Sequence, residues 1–207
     1  MVKTSREFYT GMGVDWLSER KNAEHTEKEL SYLLKLLKKG ERVLDLACGY
    51  GRFSIPLASK GFDVEGIDIT PVFIERAKEE AGKRNLNIGF RIGEMTDLPY
   101  ENESFDSVIC MWNAFSELTV EQDQVKTIKE ICRVLKKGGL AIIESRNHRS
   151  SGVDEKNMID GNESMPSYNH TRGSMKKLMK LSQVEDFKIY IDDFGGRKRL
   201  ISLLRKK

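Results

Sequence analysis

The sequence predicts an α/β protein with a doubly wound, mostly parallel sheet and helices on both faces. Three observations carry that expectation. Apolar strand-like runs alternate with helical stretches from Arg42 to Arg146. The first such run passes straight into a glycine turn and a helix, in VLDLACGYGRF (Val43 to Phe53). The chain has 207 residues, 39% hydrophobic and 32% charged, which suffices for one packed domain and argues against disorder. Strict alternation leaves a parallel sheet as the simple arrangement, because βαβ crossovers are right-handed. The ligand crevice of such a sheet lies at the carboxyl ends of its strands.

The elements run in order along the chain. TEKELSYLLKLLKKG from Thr26 reads as an amphipathic helix with Leu30, Leu33, Leu34 and Leu37 on one stripe, Thr26 and Glu29 as a capping box, and Gly40 as its stop. A strand over Arg42 to Ala47 leads through the glycine turn into RFSIPLASK, where Pro56 suits a first turn and Gly61 marks the end. The pattern repeats with a strand from Asp63 to Ile69 and the Thr70-Pro71 pair opening VFIERAKEEAGKR. Third, fourth and fifth strands read at Asn87 to Glu94, Phe105 to Asn113 and Gly139 to Arg146. Between the last two, a helix opened by a Thr119 and Gln122 box turns Ile128, Ile131, Cys132 and Leu135 to the core.

Residues 147–169 show no period and are rich in Ser, Asn, Gly and charge. A loop that long, leaving a strand's carboxyl end, is expected to be a substrate loop or lid. SMKKLMKL is then a short helix, and VEDFKIYIDDF with RLISLLRKK form two antiparallel strands about the Gly195-Gly196 turn. The expected layout is a single domain over 1–207: a helical cap (1–40), a core (41–146), a substrate loop or lid (147–171), and a C-terminal helix and hairpin (172–207).

No apolar run approaches the ~20 residues of a membrane span, and MVKTSREFYTGMGVDW lacks the apolar stretch of a signal peptide, so a cytoplasmic protein is expected. Cys48, Cys110 and Cys132 lack CxxC spacing, and His25, His148 and His170 are scattered, so no metal is expected. Net charge is +3, yet residues 170–207 hold eleven Lys or Arg against four Asp or Glu. That basic region suits a solvated face or a polyanion such as RNA.

Gly49 and Gly51 allow a sharp turn and close approach of a ligand. A dinucleotide fingerprint wants a third glycine where this chain has Ser54. The strand's own Asp45 disfavours a diphosphate and favours a ligand with a cationic group. Asp68 lies nineteen residues beyond Gly49, the place of an acid that accepts from ribose hydroxyls. Glu94, with Asp97 as competitor, offers a carboxylate to an adenine amino group, and Met95 a backbone N–H to a ring nitrogen. Together these describe adenosine bearing a cationic amino acid.

On those residues the chain resembles the class I S-adenosylmethionine-dependent methyltransferases, the small single-domain kind with a type 11 or 25 methyltransferase domain. VLDLACGYGR is similar to the family's first motif, VEGIDIT to the second, and IGEMTDLPYENESFDSVICMWNAF to the third and fourth. EICRVLKKGGLAIIE is similar to the family's next helix, glycine turn and fifth strand. The resemblance implies a Rossmann-like seven-stranded sheet of order 3-2-1-4-5-7-6 with the last strand antiparallel. It also implies S-adenosylmethionine as cofactor and S-adenosylhomocysteine as product. By position, Asp45, Ala47, Gly49 and Gly51 surround the methionine part, Asp68 holds the ribose, and Ile69 packs on adenine. Glu94 and Met95 read the adenine edge, and Tyr9 or Arg20 meets the carboxylate. Ala47 departs from the motif's usual glycine. Cys48 and Asn113 fall on the same cofactor-binding stretches, Cys48 as turn filler without a base to activate it.

A sulfonium methyl is already activated, so positioning the acceptor supplies much of the rate, up to ~7 to 11 kcal/mol. An acceptor that must lose a proton needs a base. His148, His170 and Glu144 are candidates, with Asn113 and Tyr168 as orienting groups. MWNAF lacks the Asp/Asn-Pro-Pro-Tyr turn that grips a flipped base, and no Pro-Cys pair occurs, so DNA is excluded as acceptor. A small molecule is the expected acceptor, tRNA or rRNA held by the basic C-terminal face is the alternative, and a cofactor-binding protein without catalysis is a third reading. A monomer or homodimer is expected.

Overall fold

The computed structural model describes residues 2–20, 23–160, 162–193 and 198–207. Five parallel strands come first: β1 (Arg42–Leu46), β2 (Asp63–Asp68), β3 (Gly89–Ile92), β4 (Phe105–Cys110) and β5 (Leu135–Arg146). A separate hairpin, β6 (Gly152–Asp160) and β7 (Glu163–Asn169), precedes β8 (Asp186–Asp193) and β9 (Lys198–Arg205). The sheet order is β3-β2-β1-β4-β5-β9-β8. Numbered without the inserted hairpin, that is the expected 3-2-1-4-5-7-6. The last strand, β9, runs antiparallel to both its neighbours.

The helices are α1 (Ser5–Glu19), α2 (Ala23–Leu36), α3 (Ser54–Ser59), α4 (Pro71–Gly82), α5 (Glu121–Val134) and α6 (Arg172–Leu181). Their apolar faces explain the layers. Leu44 and Leu46 of β1 pack with Ile128 and Ile131 of α5 and Leu178 of α6. Val43, pointing the other way, packs with Leu33 of α2 and Leu57 of α3. Burial on both faces is why the strands read as near-continuous apolar runs.

Several local expectations are corrected. Helix α2 begins at Ala23, so Thr26 lies inside it and no Thr26–Glu29 cap forms. Both side chains instead serve Arg52: Thr26 Oγ1 accepts from Nη1 at 2.9 Å, and Glu29 pairs with Nη2 at 2.6 Å. The capping box in this region belongs to α1, formed by Thr4 and Glu7. Helix α5 is capped by Val120 rather than by a Thr119 and Gln122 box, and Gln124 donates to the Leu118 carbonyl at 2.6 Å. Strand β5 starts at Leu135, opposite Phe105, four residues before the expected Gly139.

The largest correction falls within 147–171, where Gly152–Asp160 and Glu163–Asn169 pair as antiparallel strands in place of an irregular loop. Its period is hidden for two reasons. The buried positions of β7 include Ser164 and Ser167, small polar residues that do not announce a core face. Pro166, which has no N–H for a ladder, lies where the pairing register shifts between Asp154 and Met158. The hairpin is tied to the N-terminus by the Lys3 N–H donating to the Ser164 carbonyl at 2.9 Å and by the Lys3–Glu163 ion pair. The expected Gly195-Gly196 turn lies outside the described residues. The strands flanking it pair antiparallel, with Asp193 opposite Lys198.

Candidate functional site

A cavity of about 260 Å³ opens at the carboxyl ends of β1, β2 and β4. The turns after these strands build its floor. Ala47 leaves β1 with φ 56° and Gly49 comes two residues later, also with φ 56°. Asp68, ending β2, holds that turn from below: Oδ2 accepts from the Gly49 N–H at 2.9 Å and Oδ1 from the Thr70 N–H at 2.8 Å. One carboxylate therefore locks the turn after β1 to the turn after β2.

Ala47 occupies a backbone region that costs a residue with a Cβ about 1 kcal/mol. Ala47→Gly is therefore expected to raise the melting temperature by about 2–4 °C for a chain of this size. Thermal denaturation checks it.

Asp45 lies in β1 beneath the cavity and is buried. Burial pushes its carboxyl up to about 7, against the Ser54 hydroxyl, which donates to Oδ2 at 2.6 Å, and the Arg52 guanidinium. Arg52 comes directly after the glycine turn, lines the cavity, lies over the Phe53 ring at 4.2 Å and forms the buried pair with Glu29. Helix α1 roofs the cavity with Tyr9 and Leu17. The Tyr9 hydroxyl donates to Glu117 Oε1 at 2.8 Å, joining α1 to the 3-10 turn Ala114–Glu117 after β4. Ile69, Glu94 and Met95 also line the cavity. Cys48 lines it too, its thiol pushed well up by burial and so held neutral.

Other residues singled out in the sequence stand elsewhere. Gly51, at φ 85°, shapes the turn but does not line the cavity; a Cβ there would meet Ile55 Cδ1 at 2.9 Å. Arg20 stacks on Trp16 at 3.7 Å and pairs with Asp160 at 3.8 Å, away from the cavity. Asn113, also outside the lining, caps the 3-10 turn with φ 65°.

The three base candidates are corrected in the same way, since none lines the cavity. Glu144 is fully buried in β5, where Oε2 accepts the Trp112 N–H at 2.8 Å and Oε1 pairs with Arg199 at 3.2 Å. His170 is fully buried between Phe115 and Tyr168, ring centroids 5.5 and 4.8 Å away. Burial pushes it down to about 4, so it stays neutral at physiological pH. His148 is exposed beside Ser150 at the foot of the hairpin. Tyr168, the other orienting candidate, is taken up by the His170 stack.

Sequence reading missed Tyr50, Arg52, Trp112 and Glu117, all of which line the cavity. Arg52 sits next to the glycines, and a cation beside a ligand-seating turn was a usable signal. Trp112 and Glu117 lie on either side of Asn113 in MWNAFSE, and that these two line the cavity while Asn113 does not goes with the left-handed backbone of Trp112 and Asn113.

Against known proteins, a family described as Methyltransferase domain matches residues 37–192. A glycine/sarcosine N-methyltransferase of Aphanothece halophytica is 34% identical over 126 residues, covering 59% of this chain and 48% of that protein. Its counterpart from Parasynechococcus marenigrum is 36% identical over 138 residues, covering 65% and 47%. The chain thus spans about half the length of these curated relatives. Among solved structures, the PH0226 protein of Pyrococcus horikoshii superposes with a TM-score of 0.74 at 26% identity, covering 96% of this chain and 95% of that one. A 1,6-didemethyltoxoflavin-N1-methyltransferase of Burkholderia thailandensis, solved with 1,6-didemethyltoxoflavin and S-adenosylhomocysteine, shares the fold at TM-score 0.76 and 14% identity, covering 98% and 87%. The chain belongs to the methyltransferase-domain family and has the class I fold of the S-adenosylmethionine-dependent enzymes.

Proposed function

We propose that the chain transfers the methyl group of S-adenosylmethionine to a small-molecule acceptor. The observation that carries this reading is that Asp45 and Asp68, from adjacent strands, face one cavity over a turn left clear at Gly49. An acid below the turn suits a ligand with an amino group, and an acid at the end of β2 suits a ribose. S-adenosylmethionine supplies the activated methyl. In this reading Asp68 holds the ribose, Ile69 packs on the adenine, and Glu94 with Met95 meets its edge. Arg52 takes over from Arg20 as the cation for the methionine carboxylate, and Asp45 faces the ammonium end. Small-molecule acceptors are named for the N-methyltransferase relatives. RNA is the less favoured reading: the described cavity lining carries Asp45, Asp68, Glu94, Glu117 and Asp123 against Arg52 alone, and such a lining repels phosphate.

Titration calorimetry across pH tests the cofactor half of this reading. Asp45 is raised in the folded chain, so its contribution to stability is complete below the ordinary aspartate range near 4 and is lost as pH rises through about 7. A ligand bringing a cation to that carboxylate binds the ionised form. Affinity for S-adenosylmethionine should therefore climb as pH rises towards about 7, by up to about tenfold per unit and with release of a proton, and level off above it. Stabilisation by NAD and not by S-adenosylmethionine or S-adenosylhomocysteine would overturn the assignment.

A further inference from the structure

Resting on the methyltransferase reading, we infer that the acceptor is an amine nitrogen carried on an apolar or aromatic molecule, and that Glu117, set by Tyr9, is the group that receives it. The cavity has two chemically distinct sides. On the β2 and β3 side lie Asp68, Ile69, Glu94 and Met95, the residues suited to the nucleoside. On the β4 side lie Trp112, Glu117, Leu118 and Asp123, with Tyr9 and Leu17 of α1 completing the wall.

That second side is an aromatic and aliphatic wall in which Tyr9 fixes the Glu117 carboxylate, with Asp123 farther along the same stretch. Tyr9 is buried and its hydroxyl donates to Glu117 Oε1, which orients the carboxylate. Burial, with Glu117 and Asp68 nearby, pushes the Tyr9 hydroxyl well above its usual range, so it remains a donor and does not serve as a base. The side offers no lysine, arginine or histidine among its described lining residues apart from Arg52, which is paired with Glu29.

The direction of charge flow explains why this suits an amine. A neutral amine attacks with its lone pair, the new N–C bond forms as the C–S bond breaks, and the electron pair of that bond returns to sulfur. Positive charge thus moves from sulfur to nitrogen, and the proton left on the ammonium product passes to water. A carboxylate beside the nitrogen stabilises that developing charge and accepts an N–H hydrogen bond. With a carboxylate or phenolate acceptor the charges annihilate instead, and Glu117 would repel the incoming anion. Aromatic faces add attraction for the forming cation.

The test uses the full chain, labelled S-adenosylmethionine and the small-molecule fraction of a cell extract, with product chemistry as the readout. The expected result is label in compounds that stay on a cation exchanger at neutral pH and survive alkaline hydrolysis. Glu117→Gln is expected to lower incorporation about 100-fold while changing affinity for S-adenosylhomocysteine by less than about threefold. Tyr9→Phe, which frees the carboxylate from its hydroxyl donor, is expected to raise KM for the amine more than it lowers kcat. Label released as methanol by alkali, label in neutral ethers, or no label in any product from a chain that binds S-adenosylhomocysteine would each overturn the amine assignment. Failure to bind S-adenosylhomocysteine would instead sink the methyltransferase reading beneath it.

Discussion

Asp68→Ala is expected to weaken S-adenosylmethionine binding by at least about 100-fold and to lower stability by about 3–6 kcal/mol. The two effects have one origin. Asp68 accepts the Gly49 and Thr70 N–H groups, one on each carboxylate oxygen. Hydrogen bonds to a charged group contribute about 1.5–3 kcal/mol each, and leaving their partners unmet costs a similar amount. The turn after β1 loses its anchor at the same moment that the proposed ribose acceptor is removed. Asp68→Asn separates the contributions, because an amide accepts on one side only and turns an N–H against a backbone N–H on the other. It should retain part of the stability and little of the affinity. Calorimetry and denaturant unfolding read the two quantities independently, and an Asp68→Ala chain with unchanged affinity would remove this carboxylate from the site.

The second large effect is expected at Glu144, which does not line the cavity. Its carboxylate is fully buried between Arg199 of β9 and the Trp112 N–H. Removing one partner of a buried pair costs about 3–5 kcal/mol, so Glu144→Ala should lower the melting temperature by roughly 6–20 °C. Trp112 and Asn113, at φ 59° and 65°, are both in left-handed backbone. Glu144 is the side chain that holds the first of them. Loosening it should disturb the cavity wall as well as the fold. Glu144→Met combined with Arg199→Met restores an uncharged core and should recover part of the lost stability. It leaves the Trp112 N–H without an acceptor, so methyl transfer should recover less than stability does. Equal recovery of both would show that the carboxylate has no positioning role.

The parts legible in the sequence were those with local, periodic signals. Strands β1, β2 and β4, buried on both faces, announce themselves as apolar runs, and the acids at Asp45 and Asp68 sit at fixed distances from the glycine turn. What was illegible depends on pairing at long range. Thr26 and Glu29 have the spacing of a cap, and only the approach of Arg52 from beyond the glycine turn reassigns them. Helix α1, kinked at Gly13 with φ 77°, has no continuous apolar stripe to betray it, yet it roofs the cavity. Glu144 and His170 read as candidate bases because a sequence does not show burial. The structure puts one in the sheet and the other in an aromatic stack.

The β6–β7 hairpin leaves and re-enters the chain at almost one point. Asn147 bridges His170, and the His148 N–H donates to the His170 carbonyl at 2.9 Å. A segment whose two ends already touch can be exchanged as a cassette, since its removal asks the sheet to close only a short gap. The junction is thus a graft point, where hairpins of different length could be fitted to the same sheet.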